Sequence, residues 1–278
     1  MPIARRSSVP LLAAVAGLLF AAPAAAQQAP AYRRTPGDTL HFREVITGQV
    51  SITSVQGSAD ATTSHDALIA LTFLGGDTAH AWFEEISLGI EASGQSMKPP
   101  SEPLLDRPYT LRFTERGHVQ TTNVPEFPAQ YGQIADLARQ FDDFFLRLPA
   151  RPLRAGLTWS DTVTMRDSTS ETQMRRMRRI GRYRVTGDTT IGGERAMVIG
   201  ATLETEIEAT TPAPGQAAPA RAELGGSETA TFFFAPEGGR FLGRVRVGEI
   251  AGVITLGGAN GMEMKQRLAY TSRIEAVR

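Results

Sequence analysis

The sequence predicts a mainly β protein of the α+β class, in which a curved antiparallel sheet or half-barrel packs on one long amphipathic helix. Three observations support this. Alternating apolar and polar residues, separated by glycine- and proline-containing turns, fill most of the chain on both sides of residue 128. From 128 to 148, apolar residues instead recur at steps of three and four, as on a helix with one buried face. The strand lengths suit an antiparallel meander, not βαβ units.

The first 26 residues have the pattern of a cleaved signal peptide. Arg5 and Arg6 precede an apolar stretch that ends at Phe20, and an alanine run ending at Ala26 supplies the small residues that signal peptidase requires. The apolar stretch is too short for a stable transmembrane helix, and no later stretch is long enough to provide one. We therefore expect a mature chain of residues 27–278 that is periplasmic or secreted.

The composition excludes several classes of protein. The chain has 0 cysteines, so it has no disulfides, no thiolate metal site, no cysteine nucleophile and no lipid-anchored cysteine. Its 29 basic and 29 acidic residues cancel, so no overall field favours nucleic acid as a partner. A chain of this length can bury a core large enough to fold without disulfides. Residues 27–278 are therefore expected to form a single β-rich domain.

Eleven strands are predicted from alternating apolar residues bounded by turn residues. They cover residues 40–55, 65–74, 79–90, 109–113, 118–122, 157–165, 180–186, 196–209, 229–235, 241–256 and 262–277. Two stretches rich in proline and small residues, 94–108 and 211–226, are predicted to be flexible loops.

The segment near 128–148 is predicted to be the central helix. Its apolar stripe contains Tyr131, Ile134, Leu137, Ala138, Phe141, Phe144, Phe145 and Leu148. Pro128 suits a first helical turn, and Pro149 ends the helix because proline cannot donate the next hydrogen bond. Polar residues fill the opposite face, so the apolar face is expected to pack against the sheet.

No motif in the sequence identifies an active site. The chain has four histidines: His41, His65, His80 and His118. None forms an H-x-x-x-H or H-E-x-x-H pair, so we favour ordinary strand histidines over a metal site. Ser64, His65 and Asp66 are the residue types of a catalytic triad, but neighbours on a strand point to opposite faces. We therefore predict no catalytic residue, metal or cofactor, with a periplasmic hydrolase built from dispersed residues as the alternative.

A run of arginines is the sharpest local feature. The six residues are Arg175, Arg176, Arg178, Arg179, Arg182 and Arg184. They are candidates for contact with a polyanion, such as lipopolysaccharide phosphate, through bidentate guanidinium pairing. The competing interpretation, which we favour, is cross-strand pairing with the alternating acids Glu204, Glu206 and Glu208.

One short element resembles a known pattern. Leu148-Pro149, Arg151-Pro152-Leu153 and Gly156-Leu157-Thr158-Trp159 resemble the LP…P…G…W element of uncharacterised exported bacterial β-rich domains, to which no activity is attached. The order of strands, helix and strands behind an export signal is also similar to that of periplasmic lipoprotein-carrier and lipid-binding half-barrels. That resemblance implies a curved sheet that holds acyl chains, although a fold does not fix a function.

These observations favour a non-enzymatic envelope protein that binds a lipid or other apolar small molecule, or another envelope protein. The phenylalanines of 232–234 and Phe241 either line a cavity for such a ligand or fill a closed core. A protein-interaction module that uses the loops at 94–108 and 211–226 is a further alternative.

Overall fold

A computed structural model describes residues 29–128, 130–131, 135–170, 173–211, 219–257 and 261–277. The predicted signal peptide lies outside these residues. The strands are β1 (Thr39–Ser54), β2 (Gly57–Gly75), β3 (Thr78–Ala92), β4 (Gln95–Met97), β5 (Tyr109–Phe113), β6 (Val119–Asn123), β7 (Thr158–Ser170), β8 (Gln173–Ile191), β9 (Glu194–Thr211), β10 (Ala220–Ala235), β11 (Arg240–Leu256) and β12 (Met262–Val277).

All of these strands belong to one antiparallel sheet. Its order is β6-β5-β3-β2-β1-β12-β11-β10-β9-β8-β7, with β4 paired to the edge of β3. Most strands lie beside their neighbours in sequence, but β4 and β5 both pair with β3, and β6 and β7 lie at opposite edges. The pairing of β1 with β12 joins the two halves of the chain. The sheet is curved and stays open, with β6 and β7 at its edges. This confirms the prediction of a mainly β fold with a curved antiparallel sheet.

The prediction of a long amphipathic helix near 128–148 is wrong for the residues that the structure describes there. A 3-10 helix spans Leu137–Arg139, and further turns close with hydrogen bonds three residues apart, such as Asp142 N to Arg139 O and Phe144 N to Phe141 O. Good helix formers such as alanine, leucine and arginine make up more than half of residues 135–148, so tertiary contacts override the local helix propensity there. Those contacts lie on more than one side, because Leu146 is also fully buried although it is off the stripe.

The apolar pattern nevertheless identified most of the residues that pack on the concave face of the sheet. We call residues 135–148 the covering segment. Of the predicted stripe, Tyr131, Leu137, Phe141, Phe144, Phe145 and Leu148 are buried, Ala138 is exposed, and Ile134 lies outside the described residues. The ring of Phe145 packs at 4.8–5.9 Å from five other aromatic rings, those of Tyr32, Phe42, Phe113, Phe144 and Phe241.

The LP…P…G…W element attaches the end of the covering segment to the sheet. Trp159 Nε1 donates to the carbonyl oxygen of Arg147 at 3.2 Å, and its ring stacks on Tyr183 at 5.1 Å. Gly156 has a φ of 79°, which favours glycine, and its N–H donates to Val185 O at 2.9 Å. The tryptophan and glycine of the element therefore both serve to turn the chain into β7 and β8.

The two predicted loops are shorter than the sequence suggested. Residues 94–108 include β4 and a 3-10 helix at Glu102–Leu104, whose Leu104 is buried. In the second loop, β9 reaches residue 211 and β10 begins at residue 220, while 212–218 lie outside the described residues. Among the described residues no helix is long and apolar enough to cross a membrane.

Phe145→Ala is expected to lower the free energy of unfolding by about 3–5 kcal/mol, because it removes a buried ring that contacts five others. Val55→Ala is the matched control, since Val55 is 92% exposed, and should change stability by less than about 0.5 kcal/mol. Urea unfolding of both variants measures the difference. Equal stability would mean that the covering segment does not pack on the sheet as described.

Candidate functional site

Charged and polar side chains are buried in a row across the concave face, about halfway along the strands. They come from β1, β2, β8, β9, β10, β11 and β12: Glu44, His65, Arg179, Thr205, Glu228, Arg244, Arg246 and Ser272. Cross-strand register explains the row, because inward positions of neighbouring strands fall beside one another. A buried charge is costly unless it is paired, so the row needs internal partners.

A bulge in β11 helps to turn its arginines inward. The register between β10 and β11 shifts between Phe233 and Phe234, opposite Gly243. Gly243 has a φ of 148°, and a side chain there would collide with the carbonyl oxygen of Ile274. Beyond the bulge, Arg244 and Arg246 are 6% and 5% exposed.

Asp143 of the covering segment is the centre of the ion pairs. Its carboxylate accepts a hydrogen bond from Arg179 Nη1 and lies 2.6 Å from Arg246 Nη2. Its backbone carbonyl accepts from Arg244 Nη1. Glu228 of β10 forms ion pairs with two of these arginines, at 3.1 Å from Arg179 Nη2 and 3.3 Å from Arg246 Nε. The covering segment is therefore bound to β8 and β11 through one acidic side chain.

Glu44 forms a second centre on the other side of the row. Its carboxylate accepts a hydrogen bond from Gln140 of the covering segment and lies 3.7 Å from Arg244 Nη2. His65 Nε2 also lies 3.7 Å from Glu44 Oε2, without the alignment of a hydrogen bond. The covering segment thus contacts both halves of the sheet through polar groups.

The electrostatics of the site follow from burial and these pairs. Burial alone would raise the pKa of Asp143, but Arg179, Arg246 and Arg244 hold it well below its usual range. Burial and the nearby charge of Arg246 lower the pKa of Arg244 to about 10. Burial also lowers the pKa of His65, against the opposing effect of Glu44 and Asp66, so His65 is neutral at pH 7. The site holds ionised arginines beside an ionised aspartate.

Several buried polar atoms of the row make no aligned hydrogen bond within the described part of the chain. They are His65 Nε2, Glu228 Oε2, Arg244 Nε, Arg246 Nε and Nη2, and Ser272 Oγ. Buried polar atoms are nearly always satisfied, so such a concentration in one place marks a site that needs an explanation.

A cavity of about 350 Å³ lies between the covering segment and the concave face, at this row. Its polar wall includes Glu44, His65, Arg244, Arg246 and Tyr270. Its apolar wall consists of Ile46, Met165, Met177, Ile250 and Leu268. Polar and charged residues make up most of the lining, and the apolar side chains form one wall of it. Apolar surface beside convergent polar groups is a feature of small-molecule sites.

Larger hollows of about 720 and 760 Å³ lie among the loops. Some of their charged residues are already paired, as Arg147 with Asp161 at 3.1 Å and Arg195 with Asp188 at 3.0 Å. We therefore take the cavity under the covering segment as the candidate site.

The six arginines of the predicted polyanion contact divide between the two faces of β8. Arg176, Arg178 and Arg182 face outward and lie 3.9, 3.5 and 2.5 Å from Glu208, Glu206 and Glu204 of β9. These are the cross-strand pairs of the competing interpretation. Arg175 and Arg179 face inward, where Arg175 pairs with Asp136, and Arg184 is exposed. Polyanion contact stays a prediction.

The histidines do not converge on one point. His65 is buried on the concave face, whereas Asp66 points outward and its Oδ1 lies 2.6 Å from Arg43 Nε, as expected for neighbours on a strand. His41 lies 3.4 Å from Glu84. Within the described ranges, no three histidine, aspartate or glutamate side chains are placed to hold a metal ion.

Sequence reasoning missed Glu44, Glu228, Arg244 and Arg246. The available signal was position parity, because Glu44 is two residues from the buried Phe42 and must share its face. The valines of β11 were a misleading signal, because valine is usually buried but Val245 and Val247 are 39% and 52% exposed here.

No family model and no curated protein matches the sequence. Among solved structures, lipovitellin is 8% identical with a TM-score of 0.44 over 88% of this chain, which spans 26% of that one. Neisserial surface protein A is 8% identical with a TM-score of 0.22, covering 84% of this chain and 96% of that one. The COG4313 outer membrane channel from Pseudomonas putida F1 is 10% identical with a TM-score of 0.28, covering 88% and 97%. The similarity is to envelope and lipid-associated β proteins, at scores too low to carry an argument about function.

Asp143→Asn is expected to destabilise the fold by about 3 kcal/mol at pH 7, because it leaves buried arginines without their shared carboxylate. The folded-state pKa of Asp143 is lowered, so its contribution is present above the unfolded pKa of about 3.9 and is lost as the pH falls further. The difference between wild type and variant should therefore shrink below about pH 4.

Urea titrations from pH 7 to pH 3 measure this difference. Asp77→Asn is the control, since Asp77 forms an exposed pair with Arg112 at 3.0 Å and should contribute less than about 1 kcal/mol. A pH-independent difference for Asp143→Asn would contradict the assignment.

Proposed function

We propose that this is an exported envelope protein that binds the acyl chain of a lipid in the cavity between the covering segment and the concave face. The observation that carries the proposal is the apolar wall of that cavity. Five apolar side chains from β1, β7, β8, β11 and β12 meet there, and Ile46, Ile250 and Leu268 among them are only half-buried. Apolar side chains in a filled core would be fully buried.

The apolar surface continues along the concave face beyond the cavity. Inward positions near the far ends of β1, β10, β11 and β12 carry half-buried apolar residues: Val50, Ile52, Leu224, Ile254, Leu256 and Met264. An extended apolar surface of this kind usually binds something. We call this apolar part of the concave face the trough. A long acyl chain fits it, because the trough runs along the strands and one of its ends meets the buried polar row.

Export is supported by the first 26 residues, with a basic start, an apolar stretch and an alanine run. A lipid-binding protein in that compartment needs no cofactor. We therefore place the protein in the periplasm or among secreted proteins.

The mature protein is expected to begin at Gln27. Intact-mass measurement of the protein from a periplasmic extract tests this. The control is Ala26→Tyr, which replaces the small residue at the cleavage site and should keep the full-length mass. A full-length mass for the exported protein would refute the cleavage site.

Ile250→Glu is expected to weaken binding of fluorescently tagged palmitate about tenfold or more, since a carboxylate would sit in the apolar wall. Val247→Glu is the matched control, on the opposite face of the same strand and 52% exposed, and should bind as wild type does. Fluorescence titration gives the dissociation constants, and thermal melting checks that both variants fold.

Two results would overturn the proposal. Wild-type protein that binds no tagged palmitate would exclude an acyl-chain ligand. Equal binding by Ile250→Glu and wild type would mean that the chain binds elsewhere.

A further inference from the structure

We infer that the ligand carries an anionic oxygen group, a carboxylate or a phosphate, that Arg246 and Arg244 bind at the polar end of the cavity. This inference rests on the acyl-chain binding proposed above and assigns the chemistry of the other end of the same ligand.

Arg246 has more unaligned donors than the other two buried arginines of the row. It is 5% exposed, it lines the cavity, and its Nε and Nη2 make no aligned hydrogen bond to any described residue. Asp143 and Glu228 lie within ion-pair distance, at 2.6 and 3.3 Å, so its charge is balanced while its hydrogen-bonding capacity is not. Arg244 adds a third unaligned donor, its Nε.

The buried arginines have more hydrogen-bond donors than the surrounding residues have acceptor oxygens. Three guanidinium groups carry about fifteen N–H donors, with five on each arginine. Their acceptors among the described residues are the carboxylates of Asp143, Glu228 and Glu44, the carbonyl of Asp143, and the hydroxyl of Thr205. A group with several acceptor oxygens would satisfy donors that these oxygens leave unaligned.

The unaligned atoms also decide the charge of the ligand group. Three of them are guanidinium N–H donors, on Arg244 and Arg246, and only Glu228 Oε2 is a carboxylate acceptor. A cation would find few acceptors there, and a neutral alcohol offers a single oxygen. Arginine pairs with carboxylate and phosphate through two parallel N–H···O bonds, which is the strongest of the available geometries.

The position of the arginines fits an amphiphile and not a free anion. Arg244 and Arg246 share the cavity with Ile250 of the same strand and with Leu268 of the adjacent β12. An anionic group at the arginines would therefore direct an attached acyl chain along the apolar wall. Neighbouring charges on the cavity rim include both signs, so selectivity depends on the buried arginines.

Three ligands with the same sixteen-carbon chain test this on wild-type protein: palmitate, hexadecyl phosphate and methyl palmitate. Competition against tagged palmitate should place the methyl ester about tenfold or more weaker than the better of the two anions, because the ester is uncharged and its alkoxy oxygen is a poor acceptor. Tighter binding of palmitate than of hexadecyl phosphate would identify a carboxylate site. Tighter binding of hexadecyl phosphate would identify a phosphate site.

The possible outcomes separate this inference from the proposed function. Equal affinity for the ester and both anions would overturn the anionic group while leaving acyl-chain binding intact. Inorganic phosphate or acetate that competes as well as the amphiphiles would mean that a free anion, not a lipid, is recognised. No binding of any of the three would reject the proposed function itself.

Arg246→Gln provides the test on the protein. It should lower the affinity for the anion about tenfold more than the affinity for methyl palmitate, whereas general loss of structure would lower both alike. Arg267→Gln is the control, since Arg267 is exposed and pairs with Glu249 at 2.7 Å. If Arg246→Gln does not fold, the ligand series on wild-type protein still decides the question.

Discussion

The arrangement of the concave face depends on one interaction, the contact between Asp143 and the arginines of β8 and β11. Aromatic packing alone would let the covering segment settle in several positions, because apolar contacts have little directionality. Buried ion pairs do have direction, and their desolvation cost makes any misplacement expensive. We therefore attribute to Asp143 the fixing of the covering segment, and with it the shape of the cavity, more than a large net gain in stability.

The strand architecture was accessible from the sequence, but the site was not. Alternation located β1 and β11 correctly, since a period of two is the property of a strand. Apolar character alone would bury Val45, Val245 and Val247, yet the buried residues beside them are Glu44, Arg244 and Arg246. Hydrophobicity assigns faces only where the buried face is apolar, and a functional site is where that condition fails. These residues come together because seven strands pair side by side, and no local sequence pattern predicts which strands pair.

The covering segment shows a second limit of prediction from sequence: apolar spacing identifies buried residues but not the type of backbone. Its apolar spacing correctly marked Phe141, Phe144 and Phe145 as core residues. A step of three, as from Phe141 to Phe144, brings side chains to one side in 3-10 turns as well as in an α-helix. The spacing did not determine the backbone, since contacts with the surrounding sheet outweigh local helix propensity. Leu146, buried off the stripe, shows that the segment is enclosed and does not simply rest on a surface.

The buried row and the trough are best understood together. The donors of Arg244 and Arg246 that lack aligned acceptors reduce what these buried ion pairs add to stability, and apolar residues of similar size can often replace such pairs without loss. The half-exposed apolar wall beside them is a second cost, since it leaves hydrophobic surface in contact with water. Both costs lie in the same cavity, and one ligand with an anionic group and an acyl chain relieves both. That coincidence is the strongest reason to interpret the cavity as a binding site.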